Sequence, residues 1–118
     1  MTLCIDLPFP NSALFPNRTS GKAWASLRKL KDAARDMAYV LTKQAATGFV
    51  APVGTLHLTM TFRPPDNRHR DLDNMLAASK HQIDGIALAL GVDDKLFNPI
   101  ILRAGPPIEG GAIFVAIV

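Results

Sequence analysis

The sequence has few of the features that mark secreted or membrane proteins. Its 118 residues include a single cysteine, Cys4, which excludes an internal disulfide and suits a reducing compartment. The first six residues have no basic segment and no long apolar run, so we expect no signal peptide. The longest apolar stretches, such as Ala112–Val118, are far shorter than a membrane span. The sequence therefore predicts one intracellular, soluble domain covering residues 1–118, since this length suits a single core.

Several common catalytic motifs are also missing. There is no phosphate-binding Walker loop, no Gly-x-Gly-x-x-Gly and no strand-turn-helix serine motif. His57, His69 and His81 do not have the paired spacing of a zinc site, and one cysteine cannot form a structural zinc site. The sequence motifs therefore give no support to a P-loop hydrolase, a dinucleotide-dependent enzyme or a serine hydrolase.

The charge is modest in total but uneven along the chain. The net charge is +3, yet residues 1–50 hold seven Lys/Arg against three Asp, and residues 51–118 hold six against seven acids. Four of those acids form two close pairs, Asp71 with Asp73 and Asp93 with Asp94. If these acids gather around metal ions, the rest of the surface is strongly basic and suits a polyanion. Ordinary solubilising charge is the alternative.

The hydrophobic pattern predicts the element order β-α-β-α-β-β. The predicted elements are a strand at Thr2–Leu7, a helix from about Lys22 to Thr47 capped by Thr19 or Ser20, a strand at Thr55–Arg63, a helix from about Asp71 to Leu90, and strands at about Ile100–Arg103 and Ala112–Val118. The glycine- and proline-rich segment 105–111 predicts a hairpin turn between the last two strands. We expect an α+β fold in which two helices pack on a small mixed sheet.

The first acidic pair lies where the second helix is predicted to begin. Asp71 is positioned as the N-cap, and Asp73 follows in the first turn. Capping and the helix dipole explain acids there without any function. They do not explain the basic residues Arg68, His69 and Arg70, which oppose the dipole. Carboxylates beside a basic cluster suit a hard divalent cation and a phosphate group.

The second acidic pair, Asp93 and Asp94, follows Gly91 at the predicted end of this helix. An Asx-type turn is the structural alternative. A helix of about twenty residues spans about 30 Å, so its two ends do not meet. For Asp94 to join Asp71 and Asp73, the helix must be shorter or bent, the loop after Gly91 must return, or a second subunit must supply the acid.

Basic side chains on both predicted helices are candidates for phosphate contacts. Lys80 shares a helical face with Asp73 and Asp84, and its alternative role is an exposed ion pair with Asp84. On the first helix, Arg28, Lys31 and Arg35 form a basic stripe.

These motifs together resemble the RusA family of Holliday-junction resolvases. The resemblance rests on Arg70-Asp71-Leu72-Asp73-Asn74, a helical lysine and a following Asp93-Asp94, and on Leu7-Pro8-Phe9-Pro10-Asn11-Ser12, which is similar to the opening strand and turn of the family. Length and element order agree as well. In the family prototype the lysine stands one turn earlier, at the position of Ala77 here, whereas this chain keeps the lysine-to-aspartate spacing as Lys80 and Asp84.

The resemblance implies a homodimeric, Mg²⁺-dependent endonuclease, with Mn²⁺ as a possible substitute, that nicks a four-way DNA junction symmetrically. It implies no small-molecule cofactor and no membrane partner. Asp71, Asp73 and Asp94 would bind the metal, with Asp93 beside them, and Lys80 would be the catalytic lysine. Arg70 would contact DNA, and Arg68, Arg18, Arg28, Lys31 and Arg35 are further candidates. The expected setting is the cytoplasm of a bacterium, with the gene in a chromosome, phage or prophage.

Three other functions remain open on the sequence. One is a metal-dependent nuclease for forks or flaps, and another is a DNA-binding module that keeps the motif without cleaving. The third is an enzyme acting on a soluble phosphorylated metabolite.

Overall fold

The computed structural model describes residues 2–19 and 23–118. Its strands are β1 (Leu3–Leu7), β2 (Leu56–Arg63), β3 (Phe97–Ala104) and β4 (Ala112–Ile117). Its helices are α1 (Pro16–Thr19), α2 (Trp24–Ala45), α3 (Leu72–Ala78) and α4 (Lys80–Leu90), with 3-10 turns at Ser12–Leu14 and Asp94–Leu96. The predicted α+β class with a mixed sheet is confirmed.

The four strands form one sheet in the order β1-β4-β2-β3. β4 pairs antiparallel with β1 and β2, and β2 pairs parallel with β3. The predicted hairpin between β3 and β4 is wrong, because β2 lies between these two strands. The connecting segment instead passes the end of β2, where the Gly105 N–H donates to the Phe62 carbonyl and the Ile108 N–H to the Pro64 carbonyl.

Strand β3 begins three residues earlier than the expected Ile100. It contains Pro99, which follows a cis peptide bond and coincides with a shift in the pairing with β2. Proline is tolerated there because β3 is an edge strand, where a missing donor leaves no partner unsatisfied.

One face of the sheet forms the core with α2 and α4. The alternation predicted for β2 is confirmed, since Leu56, Leu58, Met60 and Phe62 are fully buried. β1 and β4 add the apolar side chains of Leu3, Ile5, Leu7, Ile113, Val115 and Ile117. Gly85 of α4 lies so close to α2 that a Cβ atom there would stand 2.2 Å from the Arg35 carbonyl oxygen. The absent side chain therefore lets the two helices approach each other.

Helix α2 begins at Trp24 and has Ala23 at its N-cap, so it has no side-chain cap. The helix begins two residues after the expected Lys22, and the expected cap at Thr19 or Ser20 is wrong because Ala23 occupies the N-cap position. Ser20, Lys22 and the Thr19 side chain lie outside the described residues. The helix ends at Ala45, two residues before the expected Thr47, and Gly48 follows with φ of +80°. No helix in the described ranges combines the length and the hydropathy needed to cross a membrane.

The predicted second helix is broken at Ser79 into α3 and α4, so the expectation of one continuous helix is wrong. The Ser79 hydroxyl donates to the Leu76 carbonyl at 3.0 Å, and its backbone N–H lies 3.1 Å from the carbonyls of both Met75 and Leu76. A serine that bonds back to the preceding turn competes with the regular helical pattern and bends the chain. The break leaves α4 with 11 residues, a length of about 16 Å.

Candidate functional site

The loop between β2 and α3 carries the basic cluster, and Asp66 organises it. Oδ1 of Asp66 accepts hydrogen bonds from Nη1 of Arg70 at 2.9 Å and from the backbone N–H of Arg68 at 3.0 Å. Oδ2 accepts from Nη2 of Arg68 at 3.2 Å. The Arg70 and then the Arg68 hydrogen bonds hold the pKa of Asp66 far below its usual value. Asp66 is therefore ionised at neutral pH and orients both guanidinium groups.

Arg70 is the most enclosed charged group of this loop. Its side chain is only 15% exposed, it donates a second hydrogen bond to the Arg68 carbonyl at 3.1 Å, and its guanidinium lies 5.6 Å from the centre of the Phe9 ring. These contacts turn the charge toward Asp66 and Phe9. They give a local reason for a basic residue directly before a helix N-terminus.

Asp71 and Asp73 stand at the start of α3. Asp71 occupies the N-cap position, as predicted, but its side chain makes no capping hydrogen bond. Its Oδ1 instead lies 2.8 Å from Nε2 of His69. Asp73 lies in the first turn and is exposed to solvent. Both carboxylates are accessible from solution.

Lys80, Asp84 and Asp94 form a second charged cluster at the start of α4. The Lys80 ammonium donates to Oδ1 of Asp84 at 2.7 Å and to Oδ2 of Asp94 at 2.6 Å. Asp84 lies one turn along the same helix. Asp94 lies next to Lys80 because Gly91, with φ of +69°, ends α4 and allows the chain to turn back.

The cluster is electrostatically coupled but open to water. Hydrogen bonds to Asp84 and then to Asp94 raise the pKa of Lys80, and the Lys80 hydrogen bond lowers the pKa of Asp94. The side chains of Lys80, Asp84 and Asp94 are 52%, 37% and 41% exposed. Solvent-exposed pairs of this kind contribute little to folding stability. The arrangement therefore fixes charges at the surface more than it stabilises the fold.

Asp93 has the local role expected of a turn residue. Its Oδ1 accepts a hydrogen bond from the backbone N–H of Lys95 at 3.0 Å and so caps the 3-10 turn at Asp94–Leu96. This contact points the Asp93 carboxylate at its own turn, and its expected place beside a metal stays a prediction.

The predicted metal ligands are not gathered at one point. Within residues 2–19 and 23–118, no three His, Cys, Asp or Glu side chains are arranged to hold a cation. Asp94 contacts Lys80, whereas Asp71 contacts His69. Carboxylates are the protein donors that Mg²⁺ prefers, and one or two of them suffice when water completes the coordination. The Asp71 and Asp73 pair fits Mg²⁺ in the chemistry and number of its donors.

The remaining predicted DNA contacts fall into two groups. Arg28, Lys31 and Arg35 line a shallow cavity beside α2, together with Trp24 and His81. Asp32 partly neutralises this stripe, because its oxygens lie 3.4 Å from Arg28 Nε and 3.5 Å from Arg35 Nη1. Arg18 lies elsewhere, in the cavity that Arg68 and Arg70 also line.

Asp66 is a partner of the basic cluster that the sequence motifs do not single out. The spacing of Asp66 from Arg68 and Arg70, two and four residues on, can indicate this role. The reason is that an aspartate in a turn accepts a hydrogen bond from the backbone N–H two residues on.

No known protein-family profile matches the chain. A protein of Xylella fastidiosa strain Temecula1, described only as an uncharacterized protein, is 41% identical over 101 residues. The match covers 82% of this chain, which spans 65% of the length of that relative.

Proposed function

We propose that this protein is a metal-dependent endodeoxyribonuclease that resolves four-way DNA junctions, as the resemblance to the RusA family implies. One observation carries the proposal: the Lys80 ammonium lies 2.6 Å from Asp94 Oδ2. The resemblance assigns catalytic roles to both residues, and fourteen positions separate them in the sequence. Their contact supports a common site.

In the proposed reaction, water hydrolyses a phosphodiester bond of DNA. Asp71 and Asp73 would hold Mg²⁺, with Mn²⁺ as a possible substitute, and Asp94 would join them once Lys80 turns to the substrate. The bound cation would lower the pKa of a water molecule and neutralise charge on the phosphate. Lys80 would donate hydrogen bonds to the scissile phosphate, where negative charge develops. Arg70, already oriented by Asp66, would hold the adjacent phosphate.

A four-way junction presents two equivalent strands for cleavage. A homodimer with two-fold symmetry places two such sites in equivalent positions, so we propose that the active species is a dimer. We further propose that Arg18 and the α2 residues Arg28, Lys31 and Arg35 contact the DNA arms, where they would position the substrate without reading its sequence. Such an enzyme would act on chromosomal, phage or prophage DNA in a bacterial cytoplasm.

A DNA-binding module without cleavage is the second candidate. It is favoured by the same ion pair, because a lysine that stays bound to Asp84 and Asp94 occupies an oxygen that a metal would need. In that case junction binding would be independent of Mg²⁺ and no strand would be nicked.

A single assay separates these functions. A four-way junction, a replication fork and a linear duplex, with each strand labelled in turn, are incubated with the protein and Mg²⁺ or EDTA. We expect paired nicks at symmetric positions in the junction, no cleavage in EDTA and none of the duplex. Preferred cleavage of the fork would support the alternative nuclease. Binding without nicks would support the DNA-binding module.

A further inference from the structure

A cavity beside the acidic residues of α3 combines aromatic rings with guanidinium groups. It has a volume of about 310 Å³ and is lined by Phe9, Phe15, Arg18, Arg68 and Arg70, among others. This volume lies at the lower end of the range for small-molecule sites. The cavity has room for one flat ring system with its substituents.

The apolar part of the cavity is a pair of stacked rings. The centres of Phe9 and Phe15 are 6.1 Å apart with an angle of 29° between their planes. The glycine turn before β4 lies against Phe9, since a Cβ atom on Gly111 would stand 2.8 Å from the Phe9 Cβ. Both rings also pack on the core. The aromatic surface is therefore held in place before any ligand binds.

The polar part of the cavity is cationic. Three arginines, Arg18, Arg68 and Arg70, line it, and the Asp66 carboxylate pairs with two of them. The excess of positive charge suits an anionic ligand, and guanidinium groups bind phosphate oxygens in a bidentate way. The ligand that matches this surface has a flat, polarisable ring and a phosphate.

We propose that this cavity binds one unpaired nucleotide of a DNA strand, with its base on the Phe15 ring and its phosphate at Arg18 and Arg68. The inference rests on the proposed action on branched DNA, in which strands exchange and bases at the branch point lose their stacking partners. Stacking on an aromatic side chain accepts any base, so the cavity would recognise an unstacked base and not a sequence. The cavity adjoins Asp71 through Arg70 and His69, which would place a bound nucleotide beside the acidic pair.

Binding is measured without cleavage, in EDTA, by fluorescence anisotropy with three duplexes. One is fully paired, one has a single unpaired adenosine, and one has an abasic linker at the same position. The wild-type protein should bind the unpaired adenosine about fivefold or more tightly than the abasic linker, the difference expected from one base stacked on an aromatic ring. Deoxyadenosine monophosphate is added as a competitor to test for a free nucleotide as the ligand.

Two substitutions separate the rings from overall folding and charge. Phe15→Leu keeps most of the apolar volume that packs on the core but removes the ring, so it should reduce the preference to below about twofold. Phe114→Leu is the matched control, because Phe114 is a partly exposed ring on β4, outside the residues that line the cavity. It should keep the wild-type preference. Circular dichroism of both variants checks that they are folded.

The results have distinct meanings for the two proposals. Equal wild-type affinity for the unpaired and abasic duplexes, or an undiminished preference in Phe15→Leu, would overturn the nucleotide site and leave the nuclease proposal intact. Competition by the free nucleotide at concentrations as low as those of the DNA would also overturn it. Failure to bind the duplex with the unpaired adenosine at low salt would also overturn the nucleotide site, whereas failure to bind or nick the four-way junction would overturn the nuclease proposal.

Discussion

The Lys80 ammonium lies 2.6 Å from Oδ2 of Asp94, on the other side of the turn that ends α4. The same ammonium is 2.7 Å from Oδ1 of Asp84. A lysine held between two carboxylates is oriented before a substrate arrives, and a phosphate would compete with those carboxylates for its hydrogens. The cluster therefore connects the start of α4 with the segment that leads to β3.

Replacing Lys80 with methionine should reduce junction cleavage by about 100-fold or more, because one positioned donor to the developing charge is lost. Junction affinity should change by less than about threefold, since one phosphate contact is a small share of the DNA contacts. Cleavage rates under single-turnover conditions and affinities in EDTA provide the measurements. Lys29→Met, which removes an exposed lysine from α2, is the control and should cleave at the wild-type rate. Similar rates for the two variants would remove Lys80 from the reaction.

Asp66→Ala should weaken junction binding by about tenfold, although it removes a negative charge from the surface. The reason is that Arg70 and Arg68 lose the carboxylate that orients them, and an oriented guanidinium binds phosphate better than a mobile one. Asp6→Ala is a matched control because it removes the same charge from an exposed position on β1, outside the basic cluster, and it should not weaken binding. If charge alone decides affinity, both variants will bind more tightly than the wild type, and the role given to Asp66 is then wrong.

The stability of the protein should fall between pH 7.5 and pH 5.5 because of His81. Burial, followed by the positive charge of Lys31, lowers the pKa of His81, although Asp84 acts in the opposite direction. The unfolded chain then takes up the proton more readily than the folded protein. Stability is fully present above the ordinary histidine value of about 6.5 and is lost as the pH falls below it. Urea unfolding at both pH values measures the difference.

Two variants assign this pH dependence. His81→Gln should show a smaller loss of stability between the two pH values than the wild type. His57→Gln changes an exposed histidine on β2 and should keep the wild-type loss. An equal loss in His81→Gln and the wild type would assign the effect to other groups.

Gly85→Ala should destabilise the fold by about 1–3 kcal/mol, the usual cost of excess volume in a packed region. An added Cβ would meet the Arg35 carbonyl oxygen at 2.2 Å and the Ala38 Cβ at 3.0 Å, so α2 and α4 must move apart. In an exposed helix the same change would be stabilising by up to about 1 kcal/mol. A decrease in the free energy of unfolding would therefore confirm the close approach of α2 and α4, and an increase would contradict it. Ala33→Ser, on the exposed side of α2, should change it by less than about 0.5 kcal/mol.

Local periodicity predicted most elements but not how two of them connect. The alternation of Leu56, Leu58, Met60 and Phe62 identified β2 because burial on one face imposes period two. The break at Ser79 was missed because this buried serine continues the apolar stripe from Leu76 to Ile83. The pattern is the same for one helix and for two. The two are distinguished by the hydrogen bonds of the Ser79 hydroxyl and backbone N–H to the preceding turn.

The strand order depends on long-range pairing, which turn residues do not report. The segment 105–111 has the composition of a hairpin turn, yet it crosses the end of β2 to reach β4. The contacts of Lys80 also depend partly on local spacing and partly on the long-range path of the chain. The contact of Lys80 with Asp84 follows from helical spacing, whereas its contact with Asp94 needs the chain to return after Gly91.

The most direct test of the proposed hydrolysis is Asp73→Asn, which keeps the size of the side chain and removes its charge. The labelled four-way junction is mixed with wild type and variant in Mg²⁺, and binding is measured in parallel in EDTA. We predict that the variant binds the junction with wild-type affinity and nicks it at least about 100-fold more slowly, because a carboxylate that holds the metal is lost. Nicking by the variant at a rate near that of the wild type would contradict the assignment of this acidic pair as the catalytic centre.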